Sequence, residues 1–142
     1  MRVVAVKAKE LRFAIELGAG GELREEQGVP LETPPEWSAE HLLLAALIRC
    51  SLKSLGYHAR LKGLEVGPAT GRARTLVTKR ETDDRYAVVD TDLELEVEIA
   101  PEPEQAALAE LLALAERDCF IGSSLTAKPS YRWTVNGRTI DS

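Results

Sequence analysis

Ser38-Ala39-Glu40-His41-Leu42-Leu43-Leu44-Ala45-Ala46-Leu47-Ile48-Arg49-Cys50 is the stretch that decides how this 142-residue chain is read. Ser38 is suited to cap a helix N-terminus, and Glu40 places a negative charge in the first turn, where the helix dipole favours it. The spacing predicts a helix from Ala39 to about Leu55, with Gly56 as its C-terminal stop. Leu42 to Ile48 is apolar on every face. A helix apolar all round is buried all round, which places this one centrally. One small domain has difficulty covering both faces, whereas a partner subunit would cover the second. Cys50 follows Leu43, Ala46 and Leu47 by seven, four and three positions and so shares their buried seam.

Upstream, Leu11, Phe13, Ile15 and Leu17 alternate with Arg12, Ala14 and Glu16, the period of a half-buried strand. Gly18-Ala19-Gly20-Gly21 turns the chain, and Glu22 to Arg24 starts a return. Gln27 to Trp37 holds Pro30, Pro34 and Pro35 and reads as a loop into the helix. Downstream, strands are expected over Leu61–Val66, Arg72–Thr78 and Arg85–Ile99. In the last of these, Leu93, Leu95, Val97 and Ile99 alternate with Glu94, Glu96 and Glu98, giving one packed and one solvated face. Pro101 and Pro103 close it. Leu108, Leu111, Leu112 and Ala115 then fall at helical spacing within Glu104–Arg117, and Phe120–Leu125 suggests a further helical turn after Cys119. Tyr131, Trp133 and Val135 alternate as a final strand before the tight-turn pair Asn136-Gly137. The expected fold class is α+β, with mostly antiparallel sheets in a single domain over 1–142. Its parts are a hairpin and Pro-rich loop at 1–35, the cysteine-bearing helix at 38–56, strands at 60–100, a second helical region at 104–125 and a C-terminal strand at 128–142.

The charge balance is 18 Lys+Arg against 23 Asp+Glu, a formal net charge of −5. That argues against a general phosphate-backbone binder, so no nucleic-acid partner is expected. The longest apolar run has seven residues, short of the roughly 18 that a membrane helix needs. The opening MRVVAVKAKELRF lacks the apolar region of a signal peptide, and a cytoplasmic location is expected. There, two cysteines 69 positions apart (119 minus 50) are not a routine structural staple.

Cys50 reads from periodicity either as a small core residue or as a reactive thiol. Reactivity needs a lowered pKa, because a free thiol near about 8.5 is only a few per cent thiolate at pH 7. Arg49 points about 100° away around an ideal helix. Lys53, three residues on, more often extends its charge to water. Arg12 on the first hairpin is the better type of partner.

The same residues resemble the cysteine helix of the osmotically inducible protein C and organic hydroperoxide resistance family. That family shows an Asn-Pro-Glu start, an Ala-rich apolar helix and a cysteine ten residues after the glutamate, a spacing that Glu40 and Cys50 keep. Cys119-Phe120-Ile121-Gly122-Ser123-Ser124-Leu125 looks like its second signature. Ser38-Ala39 departs from Asn-Pro, and Arg49 and Phe120 stand where a small residue and a proline are usual. The resemblance implies an intertwined homodimer with sheets packed around central cysteine-bearing helices. It also implies a peroxidase that reduces organic hydroperoxides and, less well, hydrogen peroxide. Cys50 would be the peroxidatic thiolate and Cys119 the resolving thiol. Glu40 would orient the activating arginine, for which Arg12 is the choice, Arg24 the alternative, and Lys7 or Lys9 weaker partners. No resident cofactor is implied, only an external thiol reductant, in the family often a dihydrolipoyl group. On a straight helix Glu40 lies about 15 Å from its own Cys50, so it would act through a relay or at a second subunit's site.

Other chemistries fit less well. Cys50, Cys119, His41 and His58 lack the short spacings of structural zinc motifs, so no metal is expected. Gly18–Gly21 is not a dinucleotide fingerprint. The rival is a non-enzymatic protein of the same fold that binds an apolar small molecule in a dimer-interface pocket lined by Leu43, Leu47, Phe120 and Trp133.

Overall fold

Helix α1 spans Ala39–Leu61 in the computed structural model, which describes residues 8–141. Ser38 caps it as anticipated: its hydroxyl accepts from the His41 N–H while the His41 ring nitrogen accepts from the Ser38 N–H. His41 thus takes the place of the usual Glu or Gln of a capping box. The helix does not stop at Gly56. It continues through that glycine because Leu55, His58 and Ala59 are all buried, and this packing outweighs the roughly 1 kcal/mol that glycine costs in a helix. The true stop is Gly63, at φ +72. Leu64 N–H bonds the Ala59 carbonyl and Gly63 N–H that of Arg60, the paired bonds of a Schellman ending. The expected strand over Leu61–Val66 is therefore helix end and turn in its first half.

The chain divides into two compact units at the Trp37–Ser38 boundary. The first holds three short antiparallel strands, β1 (Ile15–Leu17), β2 (Leu23–Glu25) and β3 (Pro30–Leu31), in sequence order. Of the expected strand from Leu11, only Ile15–Leu17 is paired. Leu11, Phe13, Ile15 and Leu17 are exposed, not half-buried, because three strands this short supply no second layer of their own.

The second unit contains α1 and a four-stranded sheet in the order β4 (Glu65–Lys79), β5 (Tyr86–Ala100), β6 (Ser130–Val135), β7 (Arg138–Asp141). The second half of the expected 61–66 strand and the 72–78 strand fuse into β4, with a register shift at Gly67-Pro68, where proline cannot donate to the ladder. β4–β5 and β6–β7 are antiparallel, whereas β5–β6 is parallel. Helices α2 (Gln105–Arg117) and α3 (Phe120–Ser124) make that crossover. The inner row Leu93, Leu95, Val97 and Ile99 forms one core with Leu47 and Leu55 of α1, Leu108 and Leu111 of α2, and Trp133 of β6. Leu42, Leu43, Leu44 and Ile48 are only half-buried, so the second unit by itself does not cover the apolar run of α1. Among the described residues no helix is long and apolar enough to cross a membrane.

Asn136 joins the two parallel strands. Its side chain accepts from the Ile99 N–H and donates to the Ile99 carbonyl, and its own N–H bonds Val97. Its φ of 51 and that of Gly137 at 83 are those of a two-residue hairpin turn. Asn136→Ala loses both side-chain bonds and is strained at positive φ, and is expected to cost about 1–3 kcal/mol in urea unfolding. Asn136→Gly keeps the turn and is expected to cost less. Equal losses in the two variants would contradict this account of the turn.

Candidate functional site

The α2–α3 junction brings the two cysteines together. Asp118 ends α2, Cys119 takes an extended conformation (φ −73, ψ 111), and its sulfur caps α3 by accepting from the Gly122 N–H at 3.4 Å. The preceding amide, Ile121 N–H, points at Cys50 Sγ at 3.5 Å. Adjacent backbone donors thus serve different sulfurs, one from α1 and one from the junction. Both thiols are free; Cys50 is half-buried and Cys119 fully buried. The Ile121 amide favours the charged form of the Cys50 sulfur it faces.

Burial is the largest influence on Cys50 and pushes its thiol above the ordinary range. The Ile121 and Phe120 amides pull the other way, while the neighbouring Cys119 thiol adds to the rise. The groups that act on the sulfur are thus burial, two amides and a second thiol. A thiol raised in this way is a weak nucleophile at neutral pH.

Cys119 sits in a small polar pocket of its own. Ser51 Oγ lies 3.7 Å from its sulfur and 2.8 Å from the Tyr131 hydroxyl, and donates to the Leu47 carbonyl at 2.7 Å. Tyr131 stacks in parallel on Trp133, whose indole N–H donates to Glu116. Burial pushes the Tyr131 hydroxyl well above its usual pKa. On the far side His58 pairs with Asp118 at 2.7 Å, and Arg117 also holds Asp118.

The other anticipated residues lie elsewhere. Glu40 is exposed in the first turn of α1. Because the helix is unbroken, it remains about 15 Å along the axis from Cys50 of the same chain. Arg12 belongs to the first unit, where it pairs with Glu10 at 2.8 Å on the surface. Arg24 donates to the Gly28 carbonyl, and Lys7 lies outside the described residues. His41 serves the helix cap and His58 serves Asp118; among the described residues no three His, Cys, Asp or Glu side chains converge on one point. A groove of about 620 Å³ opens between α2, α3, β6 and β7, with Trp133 in its wall. Ser51, Tyr131 and the two amides were not anticipated from sequence. The available signal was one hydroxyl within the stripe Leu47–Ser51–Leu55, four residues apart each time.

The profile of the OsmC-like protein family matches residues 32–134, a span that includes both cysteines. The chain belongs to the OsmC-like family. No curated protein matches the sequence. Solved OsmC-like structures share its fold at low identity. An OsmC-like protein of unknown function from Vibrio cholerae is 18% identical, with TM-score 0.67 over 79% of this chain and 82% of that one. An OsmC-like protein from Mycoplasma pneumoniae is 15% identical, with TM-score 0.66 over 91% and 99%. An organic hydroperoxide resistance protein from Bacillus subtilis is 16% identical, with TM-score 0.53 over 88% and 96%.

The Asp118 cluster braces the junction that carries Cys119 in this OsmC-like chain. The Arg117 guanidinium, and then His58, hold the Asp118 carboxyl below its usual range. A carboxylate with a depressed folded-state pKa stabilises above its unfolded value and loses that contribution as pH falls through the folded value. Melting temperature followed from pH 7 to pH 3 is expected to fall less steeply at the acid end for Asp118→Asn than for the parent. Parallel curves would remove Asp118 from the account.

Proposed function

We propose that this OsmC-like protein is a cysteine-based peroxidase that reduces organic hydroperoxides and, less well, hydrogen peroxide. The observation that carries the reading is the convergence of two free thiols on adjacent amides of one short helix, Cys50 half-accessible and Cys119 enclosed behind it. In the proposed cycle the Cys50 thiolate attacks the outer peroxide oxygen. The O–O bond breaks, the alcohol leaves with a proton, and a sulfenic acid remains on Cys50. Cys119 condenses with it to a disulfide, releasing water. An external dithiol, of the dihydrolipoyl type, restores both thiols by exchange. No resident cofactor takes part, and a reducing compartment such as the cytoplasm suits the resting dithiol.

The raised Cys50 pKa makes a cation necessary to this reading. That role is assigned to Arg12, oriented by Glu40. The length of the unbroken α1 favours Glu40 acting at the site of a second copy of the chain. A homodimer is supported by the half-covered leucines of α1 and the exposed row Leu11, Phe13, Ile15 and Leu17.

Mixing reduced protein with cumene hydroperoxide is expected to consume two thiols per chain rapidly. Cys50→Ser abolishes the reaction, and Cys119→Ser leaves a sulfenic acid that dimedone traps. Thiols unreacted after prolonged exposure would sink the peroxidase reading. Arg12→Ala is expected to slow oxidation about tenfold or more at pH 7, each pKa unit lost being a factor of ten in thiolate. Unchanged kinetics would shift the role to Arg24 or Lys9. Sedimentation at micromolar concentration is expected to give twice the chain mass, and a monomer would contradict the shared site.

A further inference from the structure

Ser51 has one proton and three polar neighbours. Its hydroxyl donates to the Leu47 carbonyl at 2.7 Å, one helical turn back, and a carbonyl can only accept. The oxygen therefore presents lone pairs to its other two neighbours, the Tyr131 hydroxyl at 2.8 Å and Cys119 Sγ at 3.7 Å. In this arrangement Tyr131 O–H is the donor to Ser51, and the remaining lone pair of the Ser51 oxygen is the acceptor offered to Cys119 S–H. On the other side of the sulfur, Gly122 N–H donates to it at 3.4 Å. Ser51 and Cys119 are fully buried and Tyr131 nearly so, leaving no water-facing alternative for the thiol proton. Two directional contacts on a buried side chain fix its rotamer, and with it the direction of the reactive sulfur lone pair.

We propose that Ser51, held in its acceptor state by Leu47 and Tyr131, is a positioning residue for Cys119, aiming its sulfur at Cys50. The role rests on the peroxidase reading only for its biological use; the geometry applies to any attack by Cys119 on an activated sulfur at Cys50. In the peroxidase cycle the Cys119 sulfur attacks the Cys50 sulfur of the sulfenic acid. The Cys50 S–O bond breaks, and the departing hydroxide takes the thiol proton to form water. The two oxidising equivalents delivered by the hydroperoxide then reside in the disulfide. Ser51 and Tyr131 undergo no net change.

The experiment isolates that attack from peroxide chemistry. Reduced protein is treated with one equivalent of dithionitrobenzoate per chain. Cys50, the accessible thiol, takes up one thionitrobenzoate and releases one. Cys119 then closes the disulfide and releases the second, a separate step in rapid-mixing absorbance. Ser51→Ala is expected to slow the second release about tenfold while leaving the first unchanged, the scale of a lost orientation. Tyr131→Phe keeps the Ser51 acceptor and is expected to slow it by a smaller factor. Far-ultraviolet circular dichroism and melting temperature check that both single-atom-group deletions remain folded. A packing defect would instead slow both releases, or affect the two variants alike. Second-release rates equal to the parent's in Ser51→Ala, or equal slowing in the two variants, would overturn the proposal. A parallel hydroperoxide reaction separates the two readings. Thiols inert to peroxide, with a second release that still depends on Ser51, would refute the peroxidase and leave the positioning role standing.

Discussion

The burial of one edge of α1 is the constraint on which the site depends. Leu47, Ser51, Leu55 and Ala59 recur every four residues and are all buried, so a single helical stripe meets the sheet, α2 and the α2–α3 junction. Cys50 is the neighbour of that stripe, turned about 100° from Ser51, and therefore lies at its margin and not within it. This explains why the two sulfurs differ in access although they adjoin each other. Loss of the stripe would move Cys50 and Ser51 together, and the amides of α3 would then face neither sulfur.

The junction provides the complementary half. α3 is five residues long, and its position is fixed by what surrounds it: Ser123 Oγ donates to the Arg117 carbonyl, and the Lys128 ammonium donates to the Ser123 and Leu125 carbonyls. Gly122 packs in ordinary contact with this layer, a Cβ there lying about 3.5 Å from Cys119 Sγ and 3.6 Å from Leu47 and the Tyr131 hydroxyl. Backbone donors held in this way need no reorganisation when charge develops on a sulfur. They do not by themselves overcome the burial of Cys50, whose thiol stays above its ordinary range.

Much of the fold was legible in local patterns. Ser38 as cap, the Leu93–Ile99 alternation and the Asn136-Gly137 turn each rest on a property of a few neighbouring residues. Gly56 misled because a helix interior tolerates glycine when its flanks are buried, and that burial is supplied by distant residues. The parallel β5–β6 pair was readable in principle from the strand–helix–strand order. The two cysteines stood out because they were the only pair of their kind, and the family resemblance gave them roles. Tyr131 did not stand out: its connection to Ser51 spans 80 positions and leaves no periodicity. Arg12 marks the opposite limit, since its residue type suggested a function that its surface pairing with Glu10 neither supplies nor forbids.

The parallel crossover also separates the thiol pair widely along the chain. Cys50 and Cys119 are 69 positions apart (119 minus 50), and between them lie the long β4–β5 hairpin and all of α2. Closing so large a loop costs little more free energy than closing one half its length, about 0.6 kcal/mol per doubling. The cost is kinetic as well, because contacts between residues far apart in sequence slow folding. Until that contact forms, each cysteine is a solitary thiol. Proximity of the two sulfurs is therefore a specific signature of native topology.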